Sequence, residues 1–288
     1  MRRAATFWFA EVAAMDTRSP LVTPIATAIA TPVALPSLVG KRGLIVGIAN
    51  EHSIAYGCAR VIRSLGGALA LTYMNAKAEP HVRPLAESLQ AEIVAPLDVE
   101  QPGDMDVLFA QIDARWGRLD FLLHSIALAP ASDLHGRVID SSAAGFACAM
   151  DISCHSFLRL AHAAEPLMQH GGTMITMSYH GAQKVVANYG IMGPVKAALE
   201  SCVRALSAEL GPGGIRVHAV SPGPIRTRAA SGIGEFEKLL DEVAARAPEH
   251  QLVTIDDVGA VTALLCSDAA RALTGNVVFV DAGYHIMG

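Results

Sequence analysis

Tyr189 and Lys196 are the residues of this chain whose types and spacing first suggest chemistry. They belong to the run Asn188-Tyr189-Gly190-Ile191-Met192-Gly193-Pro194-Val195-Lys196, and on a helix their separation is nearly two turns, which puts both side chains on one face. A phenol there can donate a hydrogen bond to a reacting oxygen, and an ammonium beside it can hold vicinal hydroxyls. Taken alone, the pair reads better as an amphipathic helix with a tyrosine at its edge and an exposed lysine. The upstream chain must decide.

From Gly40 onward, short apolar runs alternate with longer amphipathic stretches. Strands are expected at Gly43–Ile48, Ala68–Tyr73, Glu92–Leu97, Leu119–Ile126, Thr173–Met177, Arg216–Val220 and Val277–Val280. Between them the pattern predicts helices at Ser53–Leu65 (with Ser53 as N-cap), Glu79–Leu89, Gly103–Trp116, a long one at Ala143–Met168, and Tyr189–Leu210. Two more follow near Glu235–Ala245 and Ile255–Cys266. Strands alternating with helices predict an α/β, doubly wound Rossmann-type fold with a seven-stranded, mostly parallel sheet, as one domain over 38–288.

In such a sheet a ligand binds outside the carboxyl ends of the strands, where strand order reverses. The first strand-to-helix turn, Val46 to Gly57, lacks G-x-G-x-x-G but keeps Gly47 at the strand end, Ser53 and Ile54 opening the helix, and Gly57 one turn in. Gly47 lets backbone approach a pyrophosphate, and the helix start favours negative charge. Asp98 and Val99 end the third strand, where a carboxylate could meet an adenine amino group. Ser125, Ile126 and Ala127 end the fourth, where small residues would admit a ribose. Ile225 and Thr227 follow the sixth, facing a carboxamide. Each alone reads as a plain loop; together they read as a dinucleotide site. The second strand ends at Met74 and Asn75, with neither the acid that holds a 2′-hydroxyl nor the arginine that holds a 2′-phosphate, and Lys77 stands nearby. The absence of Arg favours NADH, with NADPH left open.

The stretch Met177-Ser178-Tyr179-His180-Gly181 together with Tyr189 and Lys196 resembles the short-chain dehydrogenase/reductase superfamily. That superfamily usually carries Tyr-x3-Lys and a Ser thirteen residues before the Tyr. Here Met192 takes the Tyr position and Tyr179 the Ser position, which resembles the enoyl-acyl-carrier-protein reductase branch with its Tyr-x6-Lys. Gly47-x5-Ser53-Ile54-Ala55-Tyr56-Gly57, His124-Ser125-Ile126 and Gly223-Pro224-Ile225-Arg226-Thr227 match the same branch. So do Ala229-Ala230-Ser231-Gly232-Ile233, Asp256-Asp257-Val258-Gly259 and Val280-Asp281-Ala282-Gly283. The resemblance covers roughly 38–288. Two departures stand out: Ala127 replaces a frequent Gly, and Pro194 lies in the expected catalytic helix, where an interior proline costs ~3 kcal/mol. For a helix starting near Asn188, Pro194 falls in the second turn and orphans the Gly190 carbonyl.

The resemblance implies reduction of a trans-2-enoyl thioester by NADH in fatty-acid elongation. Tyr189 would stabilise the oxygen that gains charge, Lys196 would hold the nicotinamide ribose, and Tyr179 would line the pocket. Ala129, Met192, Ala229, Ala230 and Phe236 would contact the acyl chain, and the segment from Thr227 to Phe236 would close over it as a lid. An acyl-carrier protein would present the substrate near Arg226 and Arg228, and the assembly would be a homotetramer. A ketoreductase of the same superfamily and a catalytically silent NAD-binding module are the competing readings.

Composition bounds the rest. With 52% hydrophobic and 17% charged residues the chain can build a large core, and a net charge of −5 gives no footprint for nucleic acid. Five cysteines without a C-x-x-C pair read as reduced core residues of a cytoplasmic protein. Residues 1–37 differ: Met1-Arg2-Arg3 precedes an apolar stretch broken by Glu11, too short for a membrane span. A charged start before an apolar run is compatible with a secretory signal. The reading adopted is a disordered tail, or a start assigned too early with Met15 as the true one.

Overall fold

The structure is a computed structural model that describes residues 36–227, 230 and 234–288. The expected elements agree closely with it in the sheet. β1 (Arg42–Val46), β2 (Ala68–Tyr73), β3 (Ile93–Pro96), β4 (Phe121–His124), β5 (Gly172–Met177), β6 (Ile215–Pro222) and β7 (Val277–Val280) pair in the order β3-β2-β1-β4-β5-β6-β7. Every pairing is parallel, not merely most of them. The reason is visible in the connections, each of which carries enough chain to cross back over the sheet.

The helices are α1 (Ile54–Ser64), α2 (Glu79–Ser88), α3 (Asp104–Trp116), α4 (Ala131–Leu134), α5 (Ala143–Met150), α6 (Ser156–Ala164), α7 (Met192–Leu210), α8 (Phe236–Arg246) and α9 (Ile255–Cys266). Two apolar layers sandwich the sheet. Leu44, Leu122, Met174 and Val217 face the α3, α6 and α7 side, where Phe157, Leu160 and Leu199 complete the layer. Ile45, Leu123, Ile175 and Val220 face α1, α2 and α9. Alternation along the strands sends neighbours to opposite layers, which is why the strands read as continuous apolar runs.

α1 and α9 cross at glycines: a Cβ on Gly57 would lie 2.4 Å from the Ile255 carbonyl oxygen, and one on Gly259 would lie 2.7 Å from that of Gly57. Gly57 therefore serves helix packing. α9 opens with a capping box in which the Thr254 hydroxyl accepts from the Asp257 amide and the Asp257 carboxylate accepts from the Thr254 amide.

Two helices depart from expectation. The stretch expected as one helix over Ala143–Met168 is α5, a π turn at Asp151–His155, and α6, followed by a 3-10 turn at Glu165–Leu167. α7 begins at Met192 rather than Tyr189, because Asn188 and Gly190 take positive φ values of 60° and 53°, which no α-helix accommodates. Pro194 thus stands in the first turn of α7, where amides have no intrahelical acceptor to lose. The Gly190 carbonyl accepts from the Gly193 amide at 3.3 Å and is not orphaned. The proline costs the helix nothing.

Candidate active site

Strand order reverses between β1 and β4, and a cavity of about 560 Å³ opens outside their carboxyl ends. Its floor is Gly47 after β1 and Ser125, Ile126 and Ala127 after β4. Gly47 has φ 112°, and a Cβ there would lie 2.1 Å from the Ser125 carbonyl oxygen, so only glycine lets the two strand ends meet. Ser53 and Ile54 add the start of α1, and Ile225 and Thr227 the loop after β6. The Ser53 hydroxyl does not cap α1 as expected. It accepts instead from the amides of Ala49 and Asn50, at 3.0 and 3.1 Å, and braces the turn itself.

Tyr179, Tyr189, Met192 and Lys196 form the wall beyond β5. The helical face expected to carry Tyr189 and Lys196 together does not exist, because Tyr189 lies in the turn before α7. They still meet in the cavity: the turn brings the phenol round while Lys196 projects from the second turn of α7. The Tyr189 ring is buried, 4.8 Å from that of Tyr179 between centroids and tilted by 59°. Gly181 makes room, since a Cβ there would lie 2.5 Å from the Tyr189 ring. Burial pushes the pKa of both phenols up, so both are neutral donors.

Lys196 is only 4% exposed, and its ammonium donates to the Met177 carbonyl at 2.6 Å. Burial lowers its pKa to about 8, against which negative charge at Cys154 or Glu200 would act. An ammonium has three donors, so two N–H groups remain for a ligand. Behind this wall lies a polar layer not anticipated from sequence. Ser178 donates to Glu200 at 2.6 Å and Gln183 donates to its other oxygen at 3.0 Å. Fully buried His124 is bonded through both ring nitrogens, to Thr176 and to Ser156, each at 2.8 Å. The Ser156 hydroxyl is spent on the Ile152 carbonyl, so Ser156 accepts from His124 Nε2–H and Thr176 donates to Nδ1. Burial, aided by the Lys196 charge, lowers the His124 pKa to about 3 and keeps the ring neutral.

Ser153 in the π turn and Ser156 just after it both reach the β4 exit. Ser153 accepts from the Leu128 amide and donates to the Leu128 carbonyl, at 2.8 and 2.9 Å, clamping the cavity segment after β4. Three positions apart, the two serines share one face of the segment, and π turns recur at functional sites.

Ala129, Ala230 and Phe236 line the outer, apolar part of the cavity with Leu128, Leu134 and Pro224. Ala229 and Arg228 lie outside the described residues, as do residues 231–233 of the expected lid and 1–35 of the expected extension. Arg226 is paired with Glu237, at 2.7 Å. Met74, Asp98 and Val99 are not brought into the cavity. They stand along the same sheet edge, beyond β2 and β3, with Met74 half exposed and Asp98 accepting from the Glu100 amide. The Val99 carbonyl accepts from Arg159. Cys154 and Cys202 lie with sulfurs 3.8 Å apart as free thiols.

A dinucleotide fits this donor set: a glycine turn and small side chains at the switch point, a buried ammonium with donors to spare, and a neutral phenol beside an apolar slot. No helix of the described residues is long and apolar enough to cross a membrane, and no group of three potential metal ligands occurs among them.

A family model described as enoyl-(acyl carrier protein) reductase matches residues 47–285. A curated enoyl-acyl-carrier-protein reductase (NADH), FabI, of Rickettsia felis is 44% identical over 87% of this chain and 96% of its own length. The crystal structure of an Anaplasma phagocytophilum enoyl-acyl-carrier-protein reductase in complex with NAD superposes with a TM-score of 0.84 and 43% identity, covering 87% of this chain and 96% of that one. The Bacillus cereus enoyl-acyl-carrier-protein reductase with NADP+ and indole naphthyridinone gives 0.86 at 40% identity, covering 88% of this chain and all of that one.

Proposed function

Because the chain belongs to the enoyl-acyl-carrier-protein reductase family, we propose that Tyr189, Lys196 and Tyr179 are the residues with which it reduces trans-2-enoyl thioesters at the expense of NADH. The observation that carries the assignment is the joint presence of the Tyr189 phenol and the Lys196 ammonium in one cavity wall, beside the β1–β4 switch point. NADH, when bound, supplies the hydride for C3 of the substrate. As negative charge grows on the thioester oxygen, Tyr189 donates a hydrogen bond to it from a position already fixed by burial, so little reorganisation is needed. Lys196 holds the nicotinamide ribose with its spare N–H groups, and its charge favours the same developing anion. Tyr179 packs on the Tyr189 ring and lines the slot.

Gly47, Ser53, Ile54, Ser125, Ile126, Ala127, Ile225 and Thr227 surround the reacting half of the cofactor. Met74, Asp98 and Val99 serve the adenosine half along the open edge. NADH is the working cofactor, as the missing arginine beside Met74 favours. Ala129, Met192, Ala229, Ala230 and Phe236 meet the acyl chain, which an acyl-carrier protein delivers to a homotetramer in the cytoplasm. Residues 38–288 act as one reductase domain.

The deciding experiment follows NADH oxidation with crotonyl-thioester and with acetoacetyl-thioester. Turnover of the first alone is expected. Preference for the second would make the chain a ketoreductase, and turnover of neither a silent NAD-binding module.

A further inference from the structure

Lys196 and Glu200 lie one helical turn apart on α7 and grip consecutive residues at the exit of β5. The Lys196 ammonium holds the Met177 carbonyl at 2.6 Å, and the Glu200 carboxylate accepts from the Ser178 hydroxyl at 2.6 Å. The next residue is Tyr179. Glu200 is 4% exposed, and a carboxylate buried to that degree is costly unless its charge is used. Its second oxygen takes the Gln183 amide at 3.0 Å. Both donors are neutral groups, so neither brings a counter-charge to Glu200.

Around Lys196 the other titratable groups are neutral near pH 7. The Cys154 thiol from the π turn is pushed up to about 12 by burial, His124 from β4 is lowered to about 3, and burial raises the phenols of Tyr189 and Tyr179. Glu200 stands four residues beyond Lys196 on the same face of α7, which places its carboxylate beside the ammonium's end of the helix.

We propose that Glu200 is a positioning residue whose charge keeps Lys196 an ammonium inside the cavity wall, while the two together clamp the β5 exit that presents Tyr179. It touches neither substrate nor cofactor. The inference rests on the reductase reading only for its consequence, because the charge state of Lys196 can be measured without turnover. The two grips also differ in kind: one holds a carbonyl with a cation, the other a hydroxyl with an anion, so exchanging either for a neutral group removes charge and leaves shape.

The test titrates Lys196 directly, by NMR of protein labelled with carbon-13 at lysine Cε, with the Lys196 signal identified by its loss in Lys196→Met. In the unaltered protein Lys196 should titrate near 8. In Glu200→Gln, which keeps the shape and an oxygen for Ser178, it should titrate about one pH unit lower. Glu200→Asp, keeping the charge on a shorter arm, should restore most of the difference. Ser178→Ala loosens the clamp and leaves the charge, so its Lys196 should titrate near the original value. Should Glu200→Gln fail to fold, Gln183→Lys at the exposed rim places a cation on Glu200 and should lower the Lys196 titration by a smaller amount.

NADH binding, followed by fluorescence at pH 7 and 8.5, gives a second readout. Affinity should fall about fivefold more between the two pH values in Glu200→Gln than in the unaltered protein. A Lys196 titration unmoved by both charge-changing variants, or moved as far by Ser178→Ala, overturns the proposal. Absence of crotonyl-thioester turnover in the unaltered protein would instead overturn the reductase reading and leave the titration result standing.

Discussion

Behind the exits of β4 and β5, the buried polar side chains that back the cavity are tied to one another: His124 to Thr176 and Ser156, Ser153 to Leu128, Lys196 to Met177, and Glu200 to Ser178 and Gln183. At the exits of β2 and β3, Met74 is half exposed and the Asp98 carboxylate serves its own turn. On the proposed reading, the end where bonds change is the one held by this buried network, as electrostatic catalysis requires. The end that only recognises is left at the surface, where hydrogen bonds compete with water and each is worth less.

The same contrast separates two fully buried histidines. His124 faces the α6 and α7 layer with both nitrogens bonded, whereas His218 on β6, facing the α1 and α9 layer, makes no well-formed hydrogen bond through either nitrogen among the described residues. Burial lowers their pKa values to about 3 and about 4. In the unfolded chain both titrate near 6.5 and bind protons that the native state refuses. Their contribution is therefore complete above pH 6.5 and is lost as pH falls toward 4 and 3. Between pH 7 and 5 the unfolding free energy, measured with urea, should drop by about 2 kcal/mol for each histidine. His218→Leu should remove half of that slope and cost less stability at pH 7 than the His124 change, since its ring makes no well-formed hydrogen bond among the described residues. His124→Leu should cost stability at neutral pH, because it strands Thr176 and Ser156. Equal behaviour of the two variants would erase the contrast.

Next in size is the chemistry itself. Tyr189→Phe should lower kcat about 100-fold with NADH affinity nearly unchanged, the loss of one preorganised donor. Lys196→Ala should instead weaken NADH binding, and steady-state kinetics paired with fluorescence titration separates the two. Ser153→Ala releases both polar groups of Leu128 and should raise KM for crotonyl-thioester about tenfold while sparing kcat, as expected for a residue that shapes the slot. The smallest effect belongs to the open end. Met74→Arg should improve kcat/KM for NADPH relative to NADH by only about fivefold, because the new guanidinium would stand in water. A change as large as that of Tyr189→Phe would mean that the two ends are equally organised.

The strands were legible because parallel strands covered on both faces must be apolar throughout, so Ala68–Tyr73 and Val277–Val280 appear at their exact bounds. Turn residues at Gly47 and Ser125 placed the switch point for similar reasons. The start of α7 was not legible: Tyr189 keeps helical spacing to Lys196, and only the positive φ values of Asn188 and Gly190 reveal the break. Pro194 was the available signal, since it suits a first turn better than a second. Nothing in Asp151–His155 announces a π turn, because a one-residue shift in the hydrogen-bond ladder demands no particular residue type. Glu200 carried a weaker sign, standing four residues beyond Lys196 on the same helical face.

The π turn has a further consequence for how this protein tolerates change. It holds one more residue than a regular helix would use to join α5 to α6, so deleting Cys154 should let the hydrogen-bond ladder close and leave both flanks in place. Such a shortened chain would set Ser153 and Ser156 two positions apart, and on a regular helix that spacing cannot point both at the β4 exit. Loss of that one residue should therefore cost stability and turnover together, since either the Leu128 clamp or the His124 bond would be left unmade.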